Sequence, residues 1–190
     1  MTEKSAAEGR GPGAARTGLI ERHALVAALD QAAGKRVTII SAPAGSGKTS
    51  LLHAWADRPR QDRRIAFMSV KPGQHDAQLF WLALLGAVSA ATGGAEPAPA
   101  APGFSGQAMV DKVLTELAAS GEPIVLIIDD LHELSSAEAT EQLTALLTSL
   151  PPHVHAIVAT RRDLPLRLHQ LRLAGELAEI RAPQLSFSED

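Results

Sequence analysis

A chain of 190 residues, 45% of them hydrophobic and 21% charged, can form one domain with a sizeable core, and this composition excludes wholesale disorder. A formal net charge of -3 gives no bulk attraction to nucleic acid or to an anionic membrane. Cysteine is absent, which excludes disulfide staples, thiolate metal sites and cysteine nucleophiles and fits a reducing cytoplasm.

Residues 1–18, rich in Gly, Ala and charge, read as a flexible tail without the apolar core of a secretory signal, and residues 19–190 as the folded domain. Glu21 to Ala33 is expected as a helix carrying Leu25, Val26 and Leu29 and closed by Gly34. Val37 to Ser41 is a short β-branched strand, followed by a Pro/Gly loop from Ala42 to Thr49 and a helix bearing Leu51, Leu52 and Trp55. Ile65 to Val70 is a second strand. His75 to Thr92 is a helix that is apolar nearly all round. The uncharged stretch from Ala77 to Ala95 has a continuous apolar run only from Leu79 to Val88, short of the roughly 20 residues of a membrane span, so a buried helix is expected there.

Gly93 to Gly106 is a long Ala/Pro/Gly connection, and Met109 to Ala118 an amphipathic helix with Val110, Val113, Leu114 and Leu117 on one stripe. Ile124 to Ile128 is apolar at every position, the pattern of a strand covered on both faces. Ser136 to Leu150 is a helix introduced by Ser135-Ser136 and stopped by Pro151-Pro152. His155 to Thr160 is a fourth strand, Leu166 to Leu173 a short helix with Pro165 at its start, and Leu177 to Arg181 a fifth strand. Strands and helices alternate throughout, which predicts an α/β fold with a mainly parallel five-stranded sheet and helices on both faces.

Between the first strand and the next helix stands Ala42-Pro43-Ala44-Gly45-Ser46-Gly47-Lys48-Thr49-Ser50. Apart from Ala42 in place of the first glycine, this is the phosphate-loop (P-loop) pattern of NTPases. A residue before proline is pushed to extended backbone, which alanine adopts without strain. Gly45 and Gly47 permit positive φ, so successive amides from Ala44 to Ser50 can turn toward an anion at a helix N-terminus. Lys48 supplies a mobile ammonium for β- and γ-phosphates, and the Thr49 hydroxyl is a ligand for Mg2+. The bland alternative is a glycine-rich turn with a solvated lysine.

A carboxylate at the end of a neighbouring strand is the expected counterpart, and Ile124-Val125-Leu126-Ile127-Ile128-Asp129-Asp130 provides it. Asp129 is assigned to the metal side. Asp130 either polarises the attacking water or caps the next turn. At the end of the fourth strand, Thr160 and Arg161 are expected on the same sheet edge. Arg161 there either reads the γ-phosphate or pairs with Asp163 or solvent, and Arg162 is the weaker candidate for that reading. His153 and His155 lie two apart with no third ligand at a sensible spacing, so a zinc site is not expected. Trp55, Phe80 and Trp81 fall on apolar helix faces and are assigned to the core.

With these motifs the chain resembles the nucleotide-binding domain of the large ATP-binding LuxR-type transcription regulators of the maltose-activator kind, in the STAND branch of AAA+-related ATPases. The marks are Leu19-Ile20-Glu21-Arg22, the loop from Ser41 to Leu52, Asp76 with Phe80-Trp81, Asp129-Asp130-Leu131-His132, Thr160-Arg161-Arg162-Asp163-Leu164-Pro165-Leu166, Leu171-Arg172, Gly175-Glu176-Leu177, Glu179-Ile180-Arg181 and Leu185-Ser186-Phe187. The family's loop also begins Ala-Pro-Ala-Gly. The resemblance implies ATP and ADP with Mg2+ as ligands of a slowly hydrolysing switch, with Lys48, Asp129, Asp130 and Arg161 carrying the chemistry.

It also implies self-association in a full-length regulator and DNA contact through a C-terminal domain. Family members continue into a lid, and Asp190 falls about where that lid should begin, so the expectation is an N-terminal fragment of a larger regulator with the lid absent. No basic recognition helix is present in these residues. The runner-up reading is a P-loop kinase acting on a small molecule or nucleoside; it would need an arginine-bearing lid, and Gly93 to Gly106 holds no arginine. A scaffold with a decayed site is disfavoured because Lys48, Thr49, Asp129 and Asp130 all stand intact.

Overall fold

The computed structural model describes residues 26–59, 63–94, 103, 105–163 and 165–181. The 1–18 tail, the start of the first helix, most of the Gly93 to Gly106 connection, and Leu185-Ser186-Phe187 lie outside the described residues. In chain order the elements are α1 (26–32), β1 (Val37–Ser41), α2 (Lys48–Ala56), β2 (Arg64–Ser69), α3 (Ala77–Thr92), α4 (Gly106–Ser120), β3 (Ile124–Asp129), a 3-10 turn (Leu131–Glu133), α5 (Ala137–Thr148), β4 (Val154–Thr160), α6 (His169–Leu173) and β5 (Leu177–Arg181).

The five strands form one parallel sheet in the order β2-β3-β4-β1-β5. Strand alternation divides the core between its faces. Val37, Leu126, Ile128, Ala156 and Val158 meet the buried sides of α3, α4, α5 and α6. On the opposite face Ile40, Val125, Ile127, Ile157 and Ala159 meet Leu29 of α1 and Leu51, Leu52 and Trp55 of α2. β3 is buried at all six positions, as a central parallel strand with helices on both sides must be.

Side-chain caps fix three helix starts: Asp76 accepts from the amides of Gln78 and Leu79, Ser105 from that of Ala108, and Ser136 from that of Ala139. In α3, Phe80, Trp81, Leu84, Leu85 and Val88 are buried, and the Trp81 indole donates to Gln142 of α5 at 2.8 Å. Among the described residues no helix is long and apolar enough to cross a membrane.

The short helix before β5 begins at His169, not at Leu166 as the sequence suggests. Leu166 and Leu168 both pack toward the same cluster. Residues two apart point to nearly opposite sides of a helix, so this segment stays out of the helix, with the Leu168 amide turned back onto the Leu166 carbonyl at 2.9 Å, and Leu171 continues the contact from the helix.

Candidate nucleotide site

The loop between β1 and α2 is held open by two left-handed glycines, Gly45 at φ 78° and Gly47 at φ 77°. Neither position has neighbours that would block a Cβ, so it is the backbone angle that demands glycine. Gly47 stands at the N-terminus of α2 and no side chain caps it, which leaves the first-turn amides available to a ligand. Lys48 opens that turn and is buried. Its ammonium donates to the carbonyls of Ala42 at 2.6 Å and Pro43 at 2.8 Å and to the Ser46 hydroxyl at 3.2 Å. Ala44 and Ser50 lie exposed on the two flanks of the loop.

β4 separates β1 from β3, so the strand order decides which side chains share the edge. Ser41 pairs with Thr160, and Ile128 with Val158, which brings the ends of all three strands level. Asp129 is fully buried there, and its Oδ2 accepts a 2.7 Å hydrogen bond from the Thr49 hydroxyl. Its other oxygen accepts from the Asp130 amide at 2.8 Å. Asp130 stands at the head of the 3-10 turn, but its side chain makes no capping bond. Instead Oδ1 lies 3.7 Å from Nη2 of Arg161 and 3.8 Å from Nδ1 of His132. Arg161 therefore faces Asp130 and not Asp163. Arg162 turns aside and donates to the His132 carbonyl at 3.0 Å.

Electrostatics set the state of the lysine. Burial lowers the Lys48 pKa below its ordinary 10.5 and the Arg161 charge lowers it further, while Asp129 and Asp130 oppose the shift. The edge thus gathers two cations and two carboxylates, with Thr49 bridging loop to strand. A hydroxyl hydrogen-bonded to a carboxylate is a hard oxygen donor pair of the kind Mg2+ takes, and the uncapped amides beside a buried ammonium suit phosphate oxygens. The residues fit a magnesium nucleotide.

His132 was not singled out by the sequence as a site residue. Its side chain is only 10% exposed, between Asp130 and Glu133; its place two residues after the acidic pair was the available signal. Glu133 in turn accepts from the Gly73 amide at 3.1 Å, tying this turn to the loop after β2. A cavity of about 230 Å³ adjoins the edge beside Ser41 and Thr160, between the ends of β1, β4 and β5 and the segment leading into α6. His153 and His155 lie at the other end of the sheet, bonded to the Leu117 carbonyl and to Thr38 with the Lys35 carbonyl respectively.

A family model described as AAA ATPase domain matches residues 20–158. The chain belongs to this AAA ATPase domain family. It is similar to the HTH-type transcriptional regulator MalT of Cronobacter sakazakii, 29% identical over 174 residues, and to that of Yersinia pestis, 28% identical over the same length. Each alignment covers 89% of this chain and 19% of the relative, so the chain spans about a fifth of the length of the curated relatives it matches. Among solved structures, Cdc6p from Pyrobaculum aerophilum superposes with a TM-score of 0.57 at 14% identity, over 94% of this chain and 47% of that one. A chain of Drosophila ORC bound to DNA gives 0.57 at 14% identity, over 86% and 90%. These likenesses establish the five-stranded AAA+ P-loop fold.

Proposed function

We propose that the domain is the nucleotide switch of a larger LuxR-type transcription regulator, binding ATP or ADP with Mg2+ and hydrolysing ATP slowly. The observation that carries this reading is the 2.7 Å bond from Thr49 to Asp129, which joins the phosphate loop to the acidic strand end beside a buried Lys48.

In this reading the loop amides and the α2 N-terminus bind the β-phosphate, and Lys48 exchanges its contacts with the Ala42 and Pro43 carbonyls for phosphate oxygens. Thr49 and Asp129 would hold Mg2+, which would supply neutralisation of the phosphate charge. Asp130 orients the attacking water and takes up its proton, and Arg161 contacts the γ-phosphate, which ATP carries and ADP lacks. DNA contact belongs, in this proposal, to the regulator as a whole, as the relatives' description as HTH-type regulators suggests, and self-association is proposed of that whole regulator too.

Thermal unfolding with and without nucleotide tests the reading. Mg·ATP or Mg·ADP at about 100 times its Kd adds roughly 2.7 kcal/mol of stability, a midpoint rise on the order of 5–10 °C. Lys48→Ala removes most of that rise. A parent domain whose midpoint moves with no purine nucleotide sinks the proposal.

A further inference from the structure

We propose that Asp130 sets the ATP-over-ADP preference of this site by occupying Arg161 whenever no γ-phosphate is there to take it. This rests on the nucleotide-switch reading above. Two neighbouring charged groups of the edge are already committed: Lys48 to three oxygens of its own loop, and Asp129 to Thr49 and the Asp130 amide. Arg161 is the more loosely held cation. Its side chain is 45% exposed, and the carboxylate it contacts among the described residues is Asp130, 29% exposed, at 3.7 Å.

The backbone aims that carboxylate. Asp130 is the non-glycine residue with positive φ among the described residues, at 53°. It is held there from both sides: its amide donates to Asp129 Oδ1, and its carbonyl accepts from the Glu133 amide at 2.9 Å in the 3-10 turn. An aspartate in the left-handed region costs strain that its neighbours must over-determine, and such residues gather at sites where side-chain direction matters. Here no capping bond uses the side chain, so the strain serves to hold the carboxylate toward Arg161 and the buried imidazole of His132.

A carboxylate and a γ-phosphate offer a guanidinium the same chemistry, anionic oxygens in a plane it can meet with two N–H groups. The γ-phosphate carries more charge and wins the arginine when ATP is bound, but breaking the Asp130 pair subtracts from ATP affinity. ADP brings no competitor, leaves the pair intact and bears no such cost. The same edge therefore narrows the gap between ATP and ADP affinity, which keeps the ADP form competitive.

Equilibrium binding of a non-hydrolysable Mg·ATP analogue and of Mg·ADP decides it, measured on the domain with its parent sequence, with Asp130→Asn, with Arg161→Ala and with both. Asparagine keeps the shape and tolerates the left-handed backbone; Asp130→Gly, which takes that backbone without strain, serves as the second variant. For a partly exposed pair the expected rise in the analogue-over-ADP affinity ratio is about two- to five-fold in either Asp130 variant, and no rise when Arg161 is already alanine. An unchanged or lower ratio overturns the proposal. So does a rise that persists without Arg161, since plain repulsion between carboxylate and phosphate would then suffice. A parent that binds neither nucleotide overturns the nucleotide reading itself, whereas a parent that binds both and a cycle without coupling overturns only the role of Asp130.

Discussion

At the N-terminal end of the strands most of the described ionisable groups are bonded within the fold, with Arg63 stacked over Trp55, while at the C-terminal end His132 and the Arg161–Asp130 pair are more loosely met. On the N-terminal side, His155 is buried between Thr38 and the Lys35 carbonyl, and Lys35 donates to the Gly175 carbonyl at 2.8 Å. Arg36 meets Glu176 at 3.2 Å and Arg64 meets Glu122 at 2.5 Å. A cleft of about 660 Å³ opens among several of these residues, yet most polar side chains on its walls are already bonded within the fold, Arg36 to Glu176 and His153 and His155 to backbone carbonyls. On the C-terminal side the His132 imidazole lies against carboxylates without hydrogen-bond geometry, and Asp130 is held at positive φ with its carboxylate 3.7 Å from Arg161. Satisfied polar groups stabilise a fold. Under-satisfied ones at a sheet's carboxyl edge mark where a ligand completes the structure.

The contrast can be broken at either end. The largest effect is expected at the carboxyl edge, where Asp130→Ala lowers the ATP hydrolysis rate about 100-fold or more, the range for loss of a positioned general base. A phosphate-release assay that finds parent-like turnover refutes that role.

Next comes the opposite end. His155→Ala leaves the Lys35 carbonyl without its partner and opens a small cavity, costing about 1–3 kcal/mol in denaturant unfolding. Nucleotide affinity should stay at the parent value, and a matching loss of affinity would show that the two ends are not independent.

The same histidine gives the contrast a pH signature. Burial lowers the His155 pKa below its ordinary 6.5, the Arg63 charge adds to the shift, and the Lys35 carbonyl opposes it. The unfolded chain therefore binds the proton more readily than the folded one. The stability contributed by the neutral ring is complete above pH 6.5 and is lost as pH falls from there through the folded-state pKa. Its slope is at most about 1.4 kcal/mol per pH unit. Unfolding curves of parent and His155→Ala should converge over that window, and parallel curves would refute the assignment.

The smallest effect is expected from Arg36→Ala. Its pair with Glu176 is partly exposed, with side chains 28% and 40% accessible, so about 0.5 kcal/mol or less is at stake. A loss several times larger would mean that the end of the sheet holds a tighter network than its geometry indicates.

Much of this arrangement is legible before any coordinates. Unbroken apolar runs ending in Asp129 and Thr160 mark central strands and their carboxyl ends, and the loop from Ala42 to Thr49 needs two glycines whatever surrounds it. β1 and β5 lie where the residue pattern puts them. α6 starts later than Pro165 suggests because proline at a helix start is a local signal, whereas the packing of Leu166 and Leu168 on one side is a tertiary one. The meeting of Arg161 with Asp130, and the burial of His132 beside them, carry no local signature.

What the amino-acid order determines alone is therefore whatever depends on neighbours in the chain: strand polarity, the left-handed glycines at 45 and 47, the lysine and threonine that open α2, and the carboxylate that ends β3. Tertiary structure decides which of these meet. β4 lies between β1 and β3, and this order brings Arg161, just past the end of β4, to Asp130 just past the end of β3. The 3-10 turn then rotates Asp130 to φ 53° and toward that arginine. Contacts between residues about 30 or 80 apart, such as Arg161 with Asp130 and Thr49 with Asp129, are fixed by strand order and register, which the whole core settles at once and no single segment encodes.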